Sequence, residues 1–298
     1  MLGWRMQGRR VLGQGIDAPN LSAASLAQPR MTPSAPMSDT VRMITGAREQ
    51  QLIEAANLLL DARRTYTPIA DLPPELQPVD LEEVARVHEA MAIAYEEIGG
   101  WKIGAGTPEA TPFFAPMPRA WMAPSGAVLT GPSYRYRRLE AEIAFLIGED
   151  LPPRATPYSS AEVVAAIASC HPAIEELESG LIDPKAANPL SALADLQMHG
   201  GFVYGAACPD WQSLDFTTEH VTLAIDGSVR VDRTGSNTSG DLMRLLPYLA
   251  NEGAARTGGL TAGQWITTGS WTGNTAALPG SQVEVCFDRA GRVSLRFA

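Results

Sequence analysis

The chain has 298 residues, 45% of them hydrophobic and 19% charged, the composition of an ordinary globular protein with ample core for one large domain or two small ones. Its formal net charge of -10 argues against a nucleic-acid or anionic-membrane partner, since either wants a basic surface, but not against an anionic substrate held through a cation. Three cysteines with no CxxC spacing exclude a zinc knuckle or a disulfide framework and fit reduced thiols in a cytoplasmic protein, and no apolar run is long enough to cross a membrane.

Residues 1–36 hold four arginines and one acid, Asp17, among scattered Gly, Pro and Ser. They lack the apolar stretch of a secretory signal and weakly resemble a transit peptide. Residues 1–44 are expected to be a disordered extension, or translation from an upstream start with Met37 the more natural one. From about Thr45 to Arg64, Leu52, Ala55, Leu59 and Ala62 fall on one helical stripe. The prolines of "TPIADLPPELQPVD" end it. Asp80 opens a second helix, with Glu83 in capping-box position, which runs to Gly99-Gly100. His88 within it reads as an ordinary helix residue. Residues 45–98 are thus a helical segment.

After Gly100 short strand-like runs alternate with Gly/Pro turns: "WKIGA", "AVLTG", "AEIAFLI", "PAIEELE", "GGFVYG", "HVTLAI", "GQWITTG", "QVEVCF" and "RVSLRF". A capping box at "SSAE" predicts a helix over 160–169. Another is expected over 240–251, kinked at Pro247. Asp226-Gly227 is a hairpin signal. The expected class is α+β, with residues 99–298 forming one β-rich catalytic domain built on a mixed sheet.

One feature of that domain is chemically odd. "LEAEIAFLI" reads as a buried strand, yet Glu140 and Glu142 stand on one face of it, because residues two apart in a strand share a face. A second acidic strand, "HPAIEELES", carries Glu175, Glu176 and Glu178. Like charges on apolar strands repel, and burial adds to the cost. A bound hard divalent cation such as Mg²⁺ or Mn²⁺ would offset it, since the donors are all oxygen. The spacing alone is equally open to a solvated strand start, with Glu142 paired to Arg137 or Arg138.

Six stretches, in order, resemble the fumarylacetoacetate hydrolase superfamily, and within it the 2-keto-4-pentenoate hydratase branch. They are "ARRTYTPIADL", "GGWKIGA", "LEAEIAFLI", "PAIEELES", "ALADLQMHGGFVYG" and "LTAGQWITTGSWTGNTAALPGSQV". The resemblance covers the chain from about Ala47 to its end. It implies a mixed β-roll fold, and it puts the family's metal carboxylates on Glu140, Glu142 and Glu175. It also carries the family's strand lysine onto Lys102 and its loop aspartate onto Asp195. The implied reaction is metal-dependent addition of water to a 2-hydroxy-2,4-dienoate, giving a 4-hydroxy-2-oxo acid in aromatic-compound catabolism. The alternatives on the same site are C–C hydrolysis of an acylpyruvate-type diketone and decarboxylation of a 2-oxo-enedioate. A homo-oligomer, and association with a related decarboxylase, are implied as well.

Within that frame Lys102 would hold a substrate oxyanion or move a proton, or simply pair with a glutamate. Asp195 would orient water or accept a proton, or only end a helix. Ser270, Thr272 and the Gly269 backbone would face the substrate, or form a plain turn. The resemblance frays in three places. Met198-His199 replaces a small hydroxyl pair, so His199 is either a new acid/base or a packing residue. Glu178 and Gly180 replace an aspartate and an arginine. An aspartate expected after "KIGA" has no counterpart. Phe113, Phe114, Trp121 and Trp271 suggest an aromatic pocket, or core packing.

Overall fold

The computed structural model describes residues 46–298, so the expected extension over 1–44 lies outside the described residues. Two helices come first, α1 (Gly46–Thr65) and α2 (Leu81–Ile93). Asp80 caps α2, its side chain accepting from the Glu83 backbone N–H, as the sequence requires. The apolar stripe of α1 is buried, with Leu52, Ala55, Leu59 and Ala62 all in contact with little or no solvent. It packs on Val84, Val87 and Met91 of α2 and on Leu181, Ala194 and Leu196 from the β-rich part, so the helical unit is joined to the rest by apolar contact.

Thirteen strands follow among the described residues, in two sheets. The larger sheet holds β1 (Ile98–Gly104), β2 (Phe113–Pro118), β3 (Met122–Pro124), β5 (Arg138–Ile147), β6 (Ile167–Leu177), β7 (His199–Tyr204), β10 (Trp265–Thr267) and β11 (Thr275–Ala276). Its order is β2-β1-β10-β5-β6-β7-β3, with β11 against β5. The smaller sheet runs β4-β13-β12-β8-β9, made of β4 (Ala127–Leu129), β8 (His220–Ile225), β9 (Ser228–Thr234), β12 (Gln282–Phe287) and β13 (Gly291–Phe297). β1 and β10 pair in parallel, β5 and β6 antiparallel, so the large sheet is mixed.

Alternation sorts the large sheet into two faces. Trp101, Ile103, Leu139, Ala141, Ile143, Phe145, Ile174 and Ile266 point inward. They meet Val221, Leu223, Val283, Val285, Val293 and Leu295 of the small sheet in the main core. The residues between them point outward, among them Lys102, Glu140, Glu142, Ala144, Ala173, Glu175 and Thr267. Every carboxylate predicted to ligate a metal is on this outer face.

Several boundaries differ from the sequence reading. α2 stops at Ile93, because the chain from Ile98 is taken up by pairing with β2 and β10. The helix at Ser160 ends at Ala165, and Ile167 and Ser169 pair with Ile147 and Leu146 of β5. The stretch around Pro247 is broken into short turns, with α5 (Leu245–Tyr248) between a 3₁₀ turn and a π turn. One short helix, α4 (Pro189–Ala194), and strands β2, β3 and β11 were not anticipated. The Asp226-Gly227 hairpin is present, with φ of 52° and 75°, the left-handed pair that a two-residue hairpin turn needs.

Candidate metal centre

Glu140 sits directly opposite Glu175 in the β5–β6 pairing, and Glu142 is one pleat further along β5. The three carboxylates each offer an oxygen, and those oxygens lie within 4.8 Å of one another. Glu142 and Glu175 are buried and Glu140 is half-buried. Burial, then the charge of Glu175, pushes Glu140 up to about 7. The same two causes, with Glu140 added, push Glu142 well above the carboxylate range. Burial acts to raise Glu175 too, but the Lys102 ammonium and His199 hold it down to about 2. One ionised carboxylate flanked by two that resist ionising is a set short of positive charge.

The set fits a hard divalent cation. Glu175 Oε2 is buried and has no hydrogen-bond partner, and every donor in the set is a carboxylate oxygen. Arg137 and Arg138 do not neutralise it: Arg137 donates to the Tyr134 carbonyl and Arg138 to Asn274. Glu142 is steadied by hydrogen bonds alone, its Oε2 accepting from the Gly269 N–H at 3.0 Å and from the Thr267 hydroxyl.

Lys102 reaches the cluster from β1. Its Nζ donates to Glu175 Oε1 at 2.7 Å and to the Gln197 carbonyl at 3.0 Å. Burial acts to lower its pKa, but Glu175, Glu140 and Glu142 outweigh that and leave it raised. It therefore stays an ammonium. The Gln197 carbonyl is delivered by an unusual turn, in which Leu196, Gln197 and Met198 have φ of 51°, 51° and 64°. Left-handed backbone costs an L residue roughly 1–2 kcal/mol each, so neighbouring contacts must hold this turn.

Asp195, at the end of α4, is one of those contacts. Its Oδ1 accepts from Arg63 Nε at 2.5 Å, and its Oδ2 accepts from Ser179 Oγ at 2.6 Å and the Gly180 N–H at 2.8 Å. The residue is fully buried, with both oxygens occupied. It anchors the turn, with Met198 N–H donating to its backbone carbonyl at 2.9 Å. His199 is also fully buried, with Nδ1 2.8 Å from Glu175 Oε1. The contact is satisfied with the proton on Nδ1, which then donates to the same oxygen that accepts from Lys102. Burial lowers the His199 pKa, against the pull of Glu175.

The "TTGSWTG" loop is partly spoken for. Thr272 Oγ1 accepts from the Ala141 N–H at 3.0 Å and donates to the Gly273 carbonyl, which pins the loop to β5. Ser270 is half-buried and its Oγ accepts from Thr272 N–H at 3.3 Å. Gly269, with φ of 89°, spends its N–H on Glu142. Of these three, Gly269 touches a carboxylate of the cluster directly, and Thr272 fixes the loop to the strand between Glu140 and Glu142. The expected aromatic pocket is dispersed: Trp271 packs in the main core against Phe287, Phe114 lies against Trp101 and Tyr248, and only Trp121 stacks on a residue of the site, His199. Glu176 lies on the opposite face of β6 from Glu175 and takes no part in the cluster.

The comparisons bear on what such a cluster belongs to. The family described as "Fumarylacetoacetate (FAA) hydrolase C-terminal" matches residues 86–298. The chain belongs to the fumarylacetoacetate hydrolase family. Among the family's curated members, a 4-oxalocrotonate decarboxylase of Pseudomonas sp. is 30% identical over 163 residues, 54% of this chain and 60% of that protein. One of Pseudomonas putida is 26% identical over 187 residues, 63% of this chain and 70% of that protein. A solved 4-oxalocrotonate decarboxylase from Pseudomonas putida G7, complexed with magnesium and adipate, is 23% identical with a TM-score of 0.72. That match covers 84% of this chain and 98% of that one and bears on the fold alone.

Three members of the site escaped the sequence reading: Arg63, Thr267 as a donor to Glu142, and the Gln197 carbonyl. Arg63 lies in α1, before the matched family region, and nothing local signals its role. Thr267 had a usable signal, since it alternates in step with Trp265 on a strand that must neighbour the acidic one.

Proposed function

We propose that this protein is a divalent-metal-dependent lyase that decarboxylates a 2-oxo-enedioate of the 4-oxalocrotonate kind. The observation that carries the reading is the convergence of Glu140, Glu142 and Glu175 beside the Lys102 ammonium, whose Nζ lies 2.7 Å from Glu175 Oε1. The names of the curated relatives support decarboxylation. Hydration of a 2-hydroxydienoate remains the second reading, on the strength of the sequence resemblance.

Glu140, Glu142 and Glu175 would hold Mg²⁺ or Mn²⁺, which would supply Lewis-acid stabilisation of negative charge on the substrate. Loss of CO₂ from the distal carboxyl sends its electron pair through the conjugated chain to the 2-oxygen, and protonation there gives a 2-hydroxydienoate. Lys102 Nζ, protonated and nearly buried, can hold the developing oxyanion or hand it a proton. The Thr267 hydroxyl and Gly269 N–H keep Glu142 in place while charge moves. A cytoplasmic homo-oligomer is part of the same reading.

The test follows both the ion and the carbon. With Mn²⁺ or Mg²⁺ and a 2-oxo-enedioate, the protein is expected to release CO₂ as a dienoate absorption band rises. Glu142→Ala is expected to weaken Mn²⁺ binding by more than about 100-fold in calorimetry and to abolish turnover, since a missing ligand costs more than a missing outer contact. Consumption of 2-hydroxypentadienoate with water uptake, and no CO₂ from the enedioate, would establish the hydratase instead.

A further inference from the structure

The two oxygens of Glu175 have unequal surroundings. Oε1 accepts from Lys102 and from His199, while Oε2 is bare. A carboxylate held this way by one oxygen has its other oxygen left for a cation. What fixes Glu175 therefore fixes that donor.

His199 is held on every side. Its ring stacks on Trp121, with centroids 5.8 Å apart and planes 23° from parallel. Trp121 is in turn backed by the Arg63 guanidinium, 5.6 Å from its ring, and by the edge of Tyr95 at 5.3 Å. The same guanidinium donates to the His199 carbonyl at 2.8 Å, to the Glu178 carbonyl at 2.9 Å and to the Asp195 carbonyl at 3.0 Å. It thus grips the His199 backbone directly and the His199 ring through Trp121. Glycine at 180 lets α1 approach closely here: a Cβ there would stand 3.1 Å from the Leu59 carbonyl oxygen and 3.2 Å from Ala62 Cβ.

We propose that Arg63, Trp121 and His199 form a brace that orients Glu175, so that the N-terminal helical unit sets the affinity of the carboxylate cluster for a divalent cation. The inference rests on the metal reading above. It assigns to α1, which lies outside the matched family region of residues 86–298, a direct part in the centre. His199 is then a positioning residue: it acts through Glu175, and its donor Nδ1–H is the working atom. Its other nitrogen, Nε2, is buried without a partner, which an apolar stacking site tolerates only in the neutral ring.

The experiment titrates Mn²⁺ into the full chain, by calorimetry and by electron paramagnetic resonance. His199→Leu, which keeps bulk and removes the donor, is expected to weaken Mn²⁺ binding about 10–100-fold and to alter the resonance, as loss of an outer-shell partner does. His199→Asn, whose side-chain N–H can stand near the Nδ1 position, is expected to recover most of that loss. Trp121→Leu is expected to fall between wild type and His199→Leu. A merely structural role would lower the melting temperature and leave the affinity of the folded protein unchanged. Mn²⁺ binding by His199→Leu within about twofold of wild type overturns the brace. Wild type that binds no Mn²⁺ overturns the metal reading, and the brace with it. A measurement on the wild type needs no variant: with isotopically labelled histidine, His199 is expected to carry its proton on Nδ1 with and without Mg²⁺, and a bare Nδ1 overturns the proposal.

Discussion

Asp195 and Glu142 are both buried acids, and their surroundings give them opposite tasks. Glu142 has neutral donors and carboxylate neighbours, so it is left wanting a cation. Asp195 has the guanidinium of Arg63 and two further donors, so its charge is fully matched. Removing one partner of a buried pair leaves the other uncompensated, which typically costs about 3–5 kcal/mol. Asp195→Ala is therefore expected to lower stability by that amount in urea denaturation. If it instead leaves the midpoint in place and only slows turnover, Asp195 is catalytic after all. The shared face of Glu140 and Glu142 was legible in the sequence because a strand alternates whatever its neighbours are. The task of Asp195 was not, because Arg63 is 132 positions away.

Elements are where local signals compete with pairing. The capping box at Ser159 and the N-cap at Asp80 formed, since an N-cap depends on residues within one turn, although the Glu83 carboxylate accepts from the Val79 N–H instead of closing a box on Asp80. The C-terminal ends of the same two helices were read too long, because the strands that follow are recruited by β2 and β5, which no local window contains. His88 is a second case. It looked like an ordinary helix residue, yet it is buried, and its Nε2 meets the Leu193 carbonyl of α4 at 2.8 Å. Burial, working against that bond, pushes it down to about 4 from an ordinary 6.5. A group whose folded pKa lies below its unfolded value favours folding above the unfolded value. Stability should therefore hold above about pH 6.5 and fall as pH drops toward about 4, where the unfolded chain binds the extra proton. His88→Gln, which can still donate to Leu193 but does not titrate, is expected to flatten the melting temperature across that interval. An unchanged slope would locate the acid sensitivity elsewhere.

For the molecule as a whole, the cluster couples the ion to the fold. Its three carboxylates come from two strands at the middle of the large sheet, and Arg63 of its brace comes from α1. An ion that binds only the folded chain stabilises all of it by mass action, about 2.7 kcal/mol at a hundredfold excess over Kd. For a chain of this size that is roughly 5–10 °C in Tm. Adding Mn²⁺ is expected to raise Tm by that much and a chelator to reverse it, with little change in Glu142→Ala. An equal rise in that variant would mean that the ion acts at another place.

What the sequence determined alone is whatever depends on neighbours a few positions away: the period-two placement of the glutamates, the helix starts, the Asp226-Gly227 turn and the family's motifs in order. Tertiary structure decided the remainder. It chose which acids share a cation and which are paired off, because charge is settled by whatever comes within a few ångströms. Strand order alone sets Lys102 and Thr267 beside Glu175 and Glu142, and helix docking alone brings Arg63 up behind His199.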